Sequence, residues 1–295
     1  MAMIQSHRNP QTRYTDAAIP ACAGVGLRSQ HYLDALHSPI RTGWLEVHSE
    51  NYFGKGGAPL SYLEAIRADY PLSLHGVGMS LGSVDELDGR HLRQLKDLIA
   101  RIEPGLVSEH LAWSSFAGRY LNDLAPVPYT DTALAHVAAR VSRVQDCLGR
   151  QILLENPSSY LEYRFSTYRE TEFLNQLAKQ TGCGILLDVN NAYLSCQNHG
   201  WDASAYLHDI DAARVAEIHL AGHSQNPAGE GGVLIDTHDG PVCEAVWQLY
   251  QTAIRIMGRR PTLIEWDADL PAWRLLIDEA GRADTYLRQG YAQAA

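Results

Sequence analysis

The sequence predicts a (β/α)8 barrel, and three observations carry the prediction. Short apolar runs alternate with longer helical patterns, which implies right-handed βαβ units and a parallel sheet. There are eight such runs, the number that closes a barrel. The chain has 295 residues, a common length for one barrel domain, and no shift in composition marks a second. Residues 19–288 are expected to form the barrel, with 1–18 and 289–295 as tails. A doubly wound open sheet is the alternative arrangement of the same units.

The first four strands read ACAGVGLR (21–28), GWLEVHSEN (43–51), PLSLHGVG (71–78) and GLVSEHLAW (105–113). The last four read QILLENP (151–157), GILLDVNNAYL (184–194), VAEIHLAGH (215–223) and PTLIEWD (261–267). Each is rich in leucine or β-branched residues and ends in polar ones. The clearest helix is expected over 84–102, where Leu92, Leu95, Ile99 and Ile102 form one apolar stripe. Ser83 and Glu86 can make a capping box at its start. Further helices are expected over about 130–148, 167–179, 243–257 and 271–287. The aromatic loop SSFAGRYLNDLAPVPY (114–129) either lines a groove or caps the barrel.

Bulk properties narrow the function. Hydrophobic residues make up 45% and charged ones 20%, enough for a full globular core. Net charge is 24 − 34 = −10 with neutral histidines, and no basic run offsets it, which argues against nucleic acid as a partner. Cys22, Cys147, Cys183, Cys196 and Cys243 form no C-x-x-C pair, so neither a zinc knuckle nor a dithiol redox motif is supported. Buried free thiols in a reducing cytoplasm are expected instead. The N-terminal residues have no signal-peptide pattern, and no run approaches the ~18 apolar residues that span a bilayer. A cytoplasmic protein without a membrane partner follows as the expectation.

In such a barrel the chemistry sits at the C-terminal ends of the strands. The second strand ends in Glu46, His48 and Glu50, followed by Asn51; the third offers His75; the fourth, Glu109 and His110. The fifth offers Glu155 and Asn156; the sixth, Asp188, Asn190 and Asn191; the seventh, His219 and His223; the eighth, Glu265 and Asp267. The loop after the seventh, GGVLIDTHDGPV (231–242), adds Asp236 and His238, while Asp239 beside Gly240 fits a turn.

Taken singly, a strand-end histidine is more often structural than a ligand. Seven strands delivering Glu, Asp or His to one rim is a different matter, because buried carboxylates must be neutralised. No lysine or arginine lies in those seven strand ends, so a cluster of bound cations is the simplest compensation. Imidazole and carboxylate without thiolate suit iron, manganese or zinc. His48, His75, Glu109, Glu155, Asp188, His219, Asp236, His238 and Glu265 exceed the needs of one ion, so two or three metals with bridging carboxylates are inferred. Other motifs are weak. GVGLRS (24–29) lacks the last glycine of a dinucleotide fingerprint, GKGG (54–57) is no P-loop, and no G-x-S-x-G elbow exists.

The segments LEVHSENYFG, LSLHGVGMSLG, SEHLAW, LLENPSSYL, LLDVNNAYL, IHLAGH, DTHDGPV and TLIEWD resemble, in order, the motifs of the multinuclear non-haem iron-dependent oxidative enzymes. The methanobactin-biosynthesis oxidase typifies that family. The resemblance spans about residues 22–280 and implies a xylose-isomerase-like TIM barrel. It implies two or three irons of mixed Fe(II)/Fe(III) state at the barrel mouth, with dioxygen as co-substrate. It further implies oxidation of cysteine, or another residue, in a ribosomally made precursor peptide, and a partner protein that presents the peptide. Carried over by motif, the ligands are the nine residues above, with Asn191 as a further one; His110, Asn51 and His223 become outer-sphere or substrate-side groups. Ser49 and Ala192 depart from the family pattern without touching a proposed ligand. Competing readings on such a barrel are a metal-dependent sugar isomerase, an endonuclease-type hydrolase, and a non-catalytic metal-binding scaffold. The acidic charge opposes the nuclease, and the lack of a rim lysine opposes the isomerase.

Overall fold

The computed structural model describes residues 18–226 and 232–294. Among them, eight parallel strands close into a barrel: β1 Ala23–Gly26, β2 Leu45–His48, β3 Leu72–Gly76, β4 Leu106–His110, β5 Leu153–Glu155, β6 Gly184–Asp188, β7 Val215–Ala221 and β8 Thr262–Glu265. Each strand pairs with the next in sequence, and β8 pairs with β1, so the open-sheet alternative is excluded. Around them lie helices α1 Tyr32–His37, α2 Ala58–Arg67, α3 Gly89–Ile102, α4 Asp131–Leu148, α5 Glu170–Thr181, α6 Val189–His199, α7 Ala203–Asp209, α8 Glu244–Met257 and α9 Trp273–Ala294. No described helix is long and apolar enough to cross a membrane.

Strand side chains alternate between faces, and this alternation builds the site. Leu45 and Val47, Leu72 and Leu74, and Ile218 and Leu220 are buried apolar residues of the helix-facing layer. The residues between them, Glu46 and His48, Ser73 and His75, Glu217 and His219, share the opposite, lumenal face. Leu92, Leu95, Leu98 and Ile102 of α3 are buried as its apolar stripe, each contributing roughly 1.5–3 kcal/mol of burial.

Local chemistry shifts several boundaries. The helix expected from residue 84 begins at Gly89, because Asp88 is its N-cap and accepts from Arg90 N at 2.7 Å. Ser83 is engaged elsewhere: its hydroxyl donates to Ser115 O and accepts from Asp85 N. The sixth strand ends at Asp188 rather than 194, since the Asp188 carboxylate accepts from Asn191 N at 2.6 Å and starts α6. The aromatic loop is an antiparallel hairpin of Ala112–Phe116 and Arg119–Pro126. Its two-residue turn has positive φ at both Ala117 (51°) and Gly118 (72°), the geometry that matches strand twist. The final helix continues to Ala294, past the boundary expected at 288. Of the expected N-terminal tail, residues 1–17 lie outside the described residues.

The acidic loop returns over the mouth. Leu234–Ile235 pairs antiparallel with Ser224–Gln225. His238 N donates to Gly222 O at 3.1 Å, and His238 O accepts from Asp267 N at 2.8 Å. The loop is thereby pinned between the ends of β7 and β8.

Candidate metal centre

Strand register sets the candidate ligands at matching heights. His48 aligns with His75, His110 with Glu155, and Asp188 with His219. Glu155 Oε2 lies 3.3 Å from His75 Nε2 and 3.4 Å from His110 Nε2. The other ring nitrogens are held from behind. His110 Nδ1 faces Gly76 O at 3.0 Å, and His75 Nδ1 faces Ser108 Oγ at 2.8 Å. A carbonyl only accepts, so His110 carries a proton on Nδ1, and Nε2, turned to the lumen, is the nitrogen that could ligate on losing its own proton.

His219 joins this group to the next. Donor atoms of Glu155, Asp188 and His219 lie within 4.8 Å of one another, and His219 Nδ1 stands 3.2 Å from Glu265 Oε2. His48 Nε2 lies 3.6 Å from Glu265 Oε1 and 3.5 Å from Asp267 Oδ2. From the loop, His238 Nε2 sits 2.7 Å from Asp236 Oδ1, and His238 Nδ1 3.7 Å from Glu265 Oε2. His238 holds φ = 47°, a left-handed conformation costly for a side-chain-bearing residue, which marks a constrained site. Below lies a further buried layer: Glu46 Oε1 is 3.3 Å and Glu217 Oε1 3.7 Å from His219 Nε2, and Ser73 Oγ donates to Glu46.

This set is electrostatically frustrated as it stands. Burial, then Glu155 and Asp236, push Asp188 well above the usual carboxylate range. Burial drives Glu155 up to about 7 against the pull of His110 and His219. Burial would lower His110, yet Glu155 and Glu109 carry it to about 10. Glu265 is held well below its ordinary value, because His238 and His219 outweigh its burial. Several donor atoms are buried without a hydrogen-bond partner among the described residues: Glu155 Oε2, Asp188 Oδ2, Asn191 Oδ1, His219 Nε2 and His238 Nε2. Nitrogen and oxygen ligands that face one another without hydrogen-bond alignment are what a shared cation produces. The residues therefore fit a group of divalent or trivalent ions with N/O donors.

The sequence-predicted residues sort clearly. His48, His75, Glu155, Asp188, His219, Asp236, His238 and Glu265 converge on the lumen. Glu109 does not: it lies on the outer face of β4, where its carboxylate accepts from Met79 N and His110 N and neighbours Glu50 and His91. Gly76 leaves it room, since a Cβ there would meet Glu109 Oε2 at 2.6 Å. His110, expected in an outer role, stands in the cluster instead. Asn191 donates to Glu155 Oε1 at 3.2 Å and keeps a free oxygen. His223 bonds Asn190, which bonds Asp236, so it acts one step removed. Asn51 is exposed on the 3₁₀ turn Ser49–Tyr52 and enters none of these contacts. Asp267, Glu46 and Glu217 join the site beyond the expected ligands. So does Arg28, whose guanidinium bonds Asp267 and lies 3.2 Å from His48 Nε2 and 3.9 Å from Glu265 Oε1. Among the described residues, Arg28, just past the end of β1, is thus a chain-borne cation on the rim.

Comparison with known proteins agrees with this geometry. A UPF0276 protein of Acaryochloris marina is 51% identical over 267 residues, covering 90% of this chain and 95% of that protein. Another from Vibrio vulnificus is 49% identical over 265 residues, covering 90% and 91%. Among solved structures, a D-tagatose 3-epimerase-like protein matches with TM-score 0.58 at 13% identity, covering 93% of this chain and all of that one. A xylose isomerase domain protein from Planctomyces limnophilus matches with TM-score 0.51 at 12% identity, covering 93% and 95%. These likenesses establish a xylose-isomerase-like barrel and no more. Residues 22–288 match the model of the RiPP precursor modification enzymes MbnB/TglH/ChrH, and the chain belongs to that family.

Proposed function

We propose that this protein is an iron- and dioxygen-dependent oxidase that modifies cysteine, or another residue, in a ribosomally synthesised precursor peptide. The observation that carries the reading is the convergence of buried, partnerless imidazole and carboxylate donors at the C-terminal mouth of the barrel. Two or three irons fit these donors. His75, His110, Glu155, Asp188 and His219 would hold the inner part of the cluster, and His48, Glu265, Asp267, Asp236 and His238 the outer part. Bound iron would supply the redox chemistry, with dioxygen as the oxidant.

The chain's own residues prepare that centre. Gly76 O and Ser108 Oγ hold the rings of His110 and His75 from behind, so that Nε2 of each faces Glu155. Asn191 fixes Glu155 Oε1. Asn190, itself held by His223, fixes Asp236. Such outer contacts typically govern metal affinity by about 10–100-fold. A partner protein presenting the peptide and a cytoplasmic setting belong to the same reading; Cys183 and Cys196 are buried and unpaired, as a reducing compartment would leave them.

The test has two arms. Anaerobic iron loading followed by elemental analysis is expected to give two to three equivalents, and less than one would overturn the cluster. Aerobic, iron-replete co-expression with a cysteine-containing peptide and a partner protein encoded beside the enzyme's gene is expected to change the peptide's mass. An unchanged mass overturns peptide oxidation.

A further inference from the structure

One level below the candidate ligands, the barrel interior changes character. Leu153 of β5, Leu186 of β6 and Leu263 of β8 each stand two residues before a lumenal donor on their own strand, so they point into the lumen too. All three are buried. Trp44, two residues before Glu46, fills the level beneath; its ring lies so near Gly24 that a Cβ there would meet it at 2.4 Å. Into this apolar surrounding the chain places two carboxylates, Glu46 of β2 and Glu217 of β7, at 2% and 0% exposure. Buried carboxylates are costly unless paired and hydrogen-bonded. Among the described residues, the ion-pair partner of both is the same imidazole, His219. One imidazolium carries one charge, so it neutralises one carboxylate and not both.

Geometry decides what completes the set. A charge-assisted N–H···O bond is about 2.7–2.9 Å long. His219 Nε2 instead stands 3.3 Å from Glu46 Oε1 and 3.7 Å from Glu217 Oε1. Neither oxygen of Glu217 has a hydrogen-bond partner among the described residues, and neither has His219 Nε2. Two donors, each about 2.1 Å from one ion, stand roughly 3.0–3.6 Å apart for angles of about 90–120°. The donor atoms of Glu46, Glu217 and His219 all lie within 4.8 Å of one another. The same spacing recurs among the candidate ligands above, where Glu155 Oε2 is 3.3 Å from His75 and 3.4 Å from His110. Ser73 Oγ donates to Glu46 Oε2 at 2.8 Å and so fixes Oε1 toward the imidazole. The other ring nitrogen, His219 Nδ1, faces Glu265.

We propose that Glu46, Glu217 and His219 Nε2 hold a further divalent cation, of the first-row transition metals that accept nitrogen and oxygen donors, inside the barrel and beneath the cluster at the mouth. His219 then bridges the two sites as an imidazolate. The ion neutralises both carboxylates and ties β2 to β7 across the lumen, two strands that are separated in the barrel wall by β1 and β8. Enclosed by the leucines and Trp44, it is structural: it is fixed as the chain folds and counted apart from iron loaded afterwards at the mouth. The inference does not rest on peptide oxidation.

The test is anomalous diffraction from crystals of the full chain produced with zinc, manganese(II) or iron(II) as the sole added metal. Data at that metal's absorption edge should show a peak about 2.0–2.3 Å from Glu46 Oε1, Glu217 Oε1 and His219 Nε2. Absence of that peak with all three metals overturns the site, whether or not the mouth is filled. Glu217→Gln should lose one equivalent of metal by elemental analysis while the peaks at the mouth persist. If that variant keeps every equivalent, the two carboxylates share a proton instead of an ion, and the inference fails. The wild-type diffraction decides the matter even if the variant does not fold. Peaks at the mouth alone overturn the inner ion and leave the proposed function standing; a peak at the inner site alone supports the ion and counts against the cluster.

Discussion

Gly222→Ala is the sharpest probe of how the acidic loop reaches the centre. Gly222 follows β7, and a Cβ built on it would lie 2.1 Å from Gly240 O, 2.6 Å from Gly240 C and 3.0 Å from Pro241 O. These are backbone atoms, so no side chain can swing aside. Ordinary contact begins at 3.4 Å, so the segment bearing Gly240 must retreat by 3.4 − 2.1 = 1.3 Å. That segment includes His238, whose N–H bonds Gly222 O at 3.1 Å. Overpacking of this kind costs about 1–3 kcal/mol, and the strained hydrogen bond about 0.5–1.5 kcal/mol more. A total near 3 kcal/mol corresponds to a melting temperature lower by roughly 6–12 °C for a domain this large. The displaced His238 and Asp236 should weaken metal binding by about 10–100-fold, as loss of ligand orientation does. The assay is calorimetry with elemental analysis after desalting. Gly240→Ala is the internal control, since nothing lies within 4 Å of its Cβ, and it should behave close to wild type. If Gly222→Ala keeps wild-type iron content and melting temperature, the close approach of the loop does not position these ligands.

Three further outcomes follow from particular residues. His238→Asn should lose iron without lowering the melting temperature of the metal-free protein, because asparagine tolerates the left-handed backbone that costs histidine about 1–2 kcal/mol; a lower apo melting temperature would argue against stored strain. Burial raises the Glu170 carboxyl, against hydrogen bonds from Tyr206 at 2.6 Å and Tyr129 at 2.8 Å. Its folded pKa exceeds the unfolded one, so its contribution is full below the unfolded pKa and is lost as pH rises through the folded value; Glu170→Gln should flatten the fall of melting temperature above pH ~4.5, and an unchanged pH profile would refute this. Burial pushes the Cys183 thiol up to about 11 and Cys196 up to about 12, so iodoacetamide at pH ~8 should leave both unmodified in the folded protein, where thiolate is required for reaction; peptide mapping that finds either alkylated before unfolding would contradict their burial.

The barrel was legible because its strands obey a simple rule. In LEVH (45–48) polar and apolar residues alternate cleanly, so the lumenal face of β2 can be read directly. The same rule explains the misplacement of Glu109. In LVSEH (106–110) three polar residues run together and hide which face is which. The buried Val107 shares a face with Glu109, and Ser108 shares the other with His110. Parity counted from Val107 would have put His110 in the lumen. Asn190 and Asn191 were named from the sequence, but their place on a helix was hidden for another reason. GILLDVNNAYL has an unbroken apolar start, and the switch from strand to helix depends on Asp188 capping Asn191 N, a contact that only the folded chain displays. The hairpin was hidden too, because its turn uses alanine at a positive φ where glycine or asparagine is the expected signal.

Arg28 changes the argument for metal more than any misplaced ligand does. The case from sequence was that many acids met few cations on the rim. Arg28 is a cation on that rim, against Asp267, Glu265 and His48. The outer candidate ligands are therefore partly neutralised by the chain itself. The inner ones are not: apart from the amide groups of Asn191, Glu155 and Asp188 face histidines, and both carboxyls are driven upward by burial. A histidine can neutralise a carboxylate only by taking a proton, which blocks the nitrogen that would ligate. The demand for a cation is thus strongest at His75, His110, Glu155, Asp188 and His219, and weakest beside Arg28. Stepwise loading should fill the inner positions first, and any third equivalent should bind more weakly, in competition with the guanidinium. Arg28→Ala should then retain the inner ions and tighten or increase the last equivalent. Loss of the tightly bound ions in that variant would show instead that Arg28 holds the ligands in place.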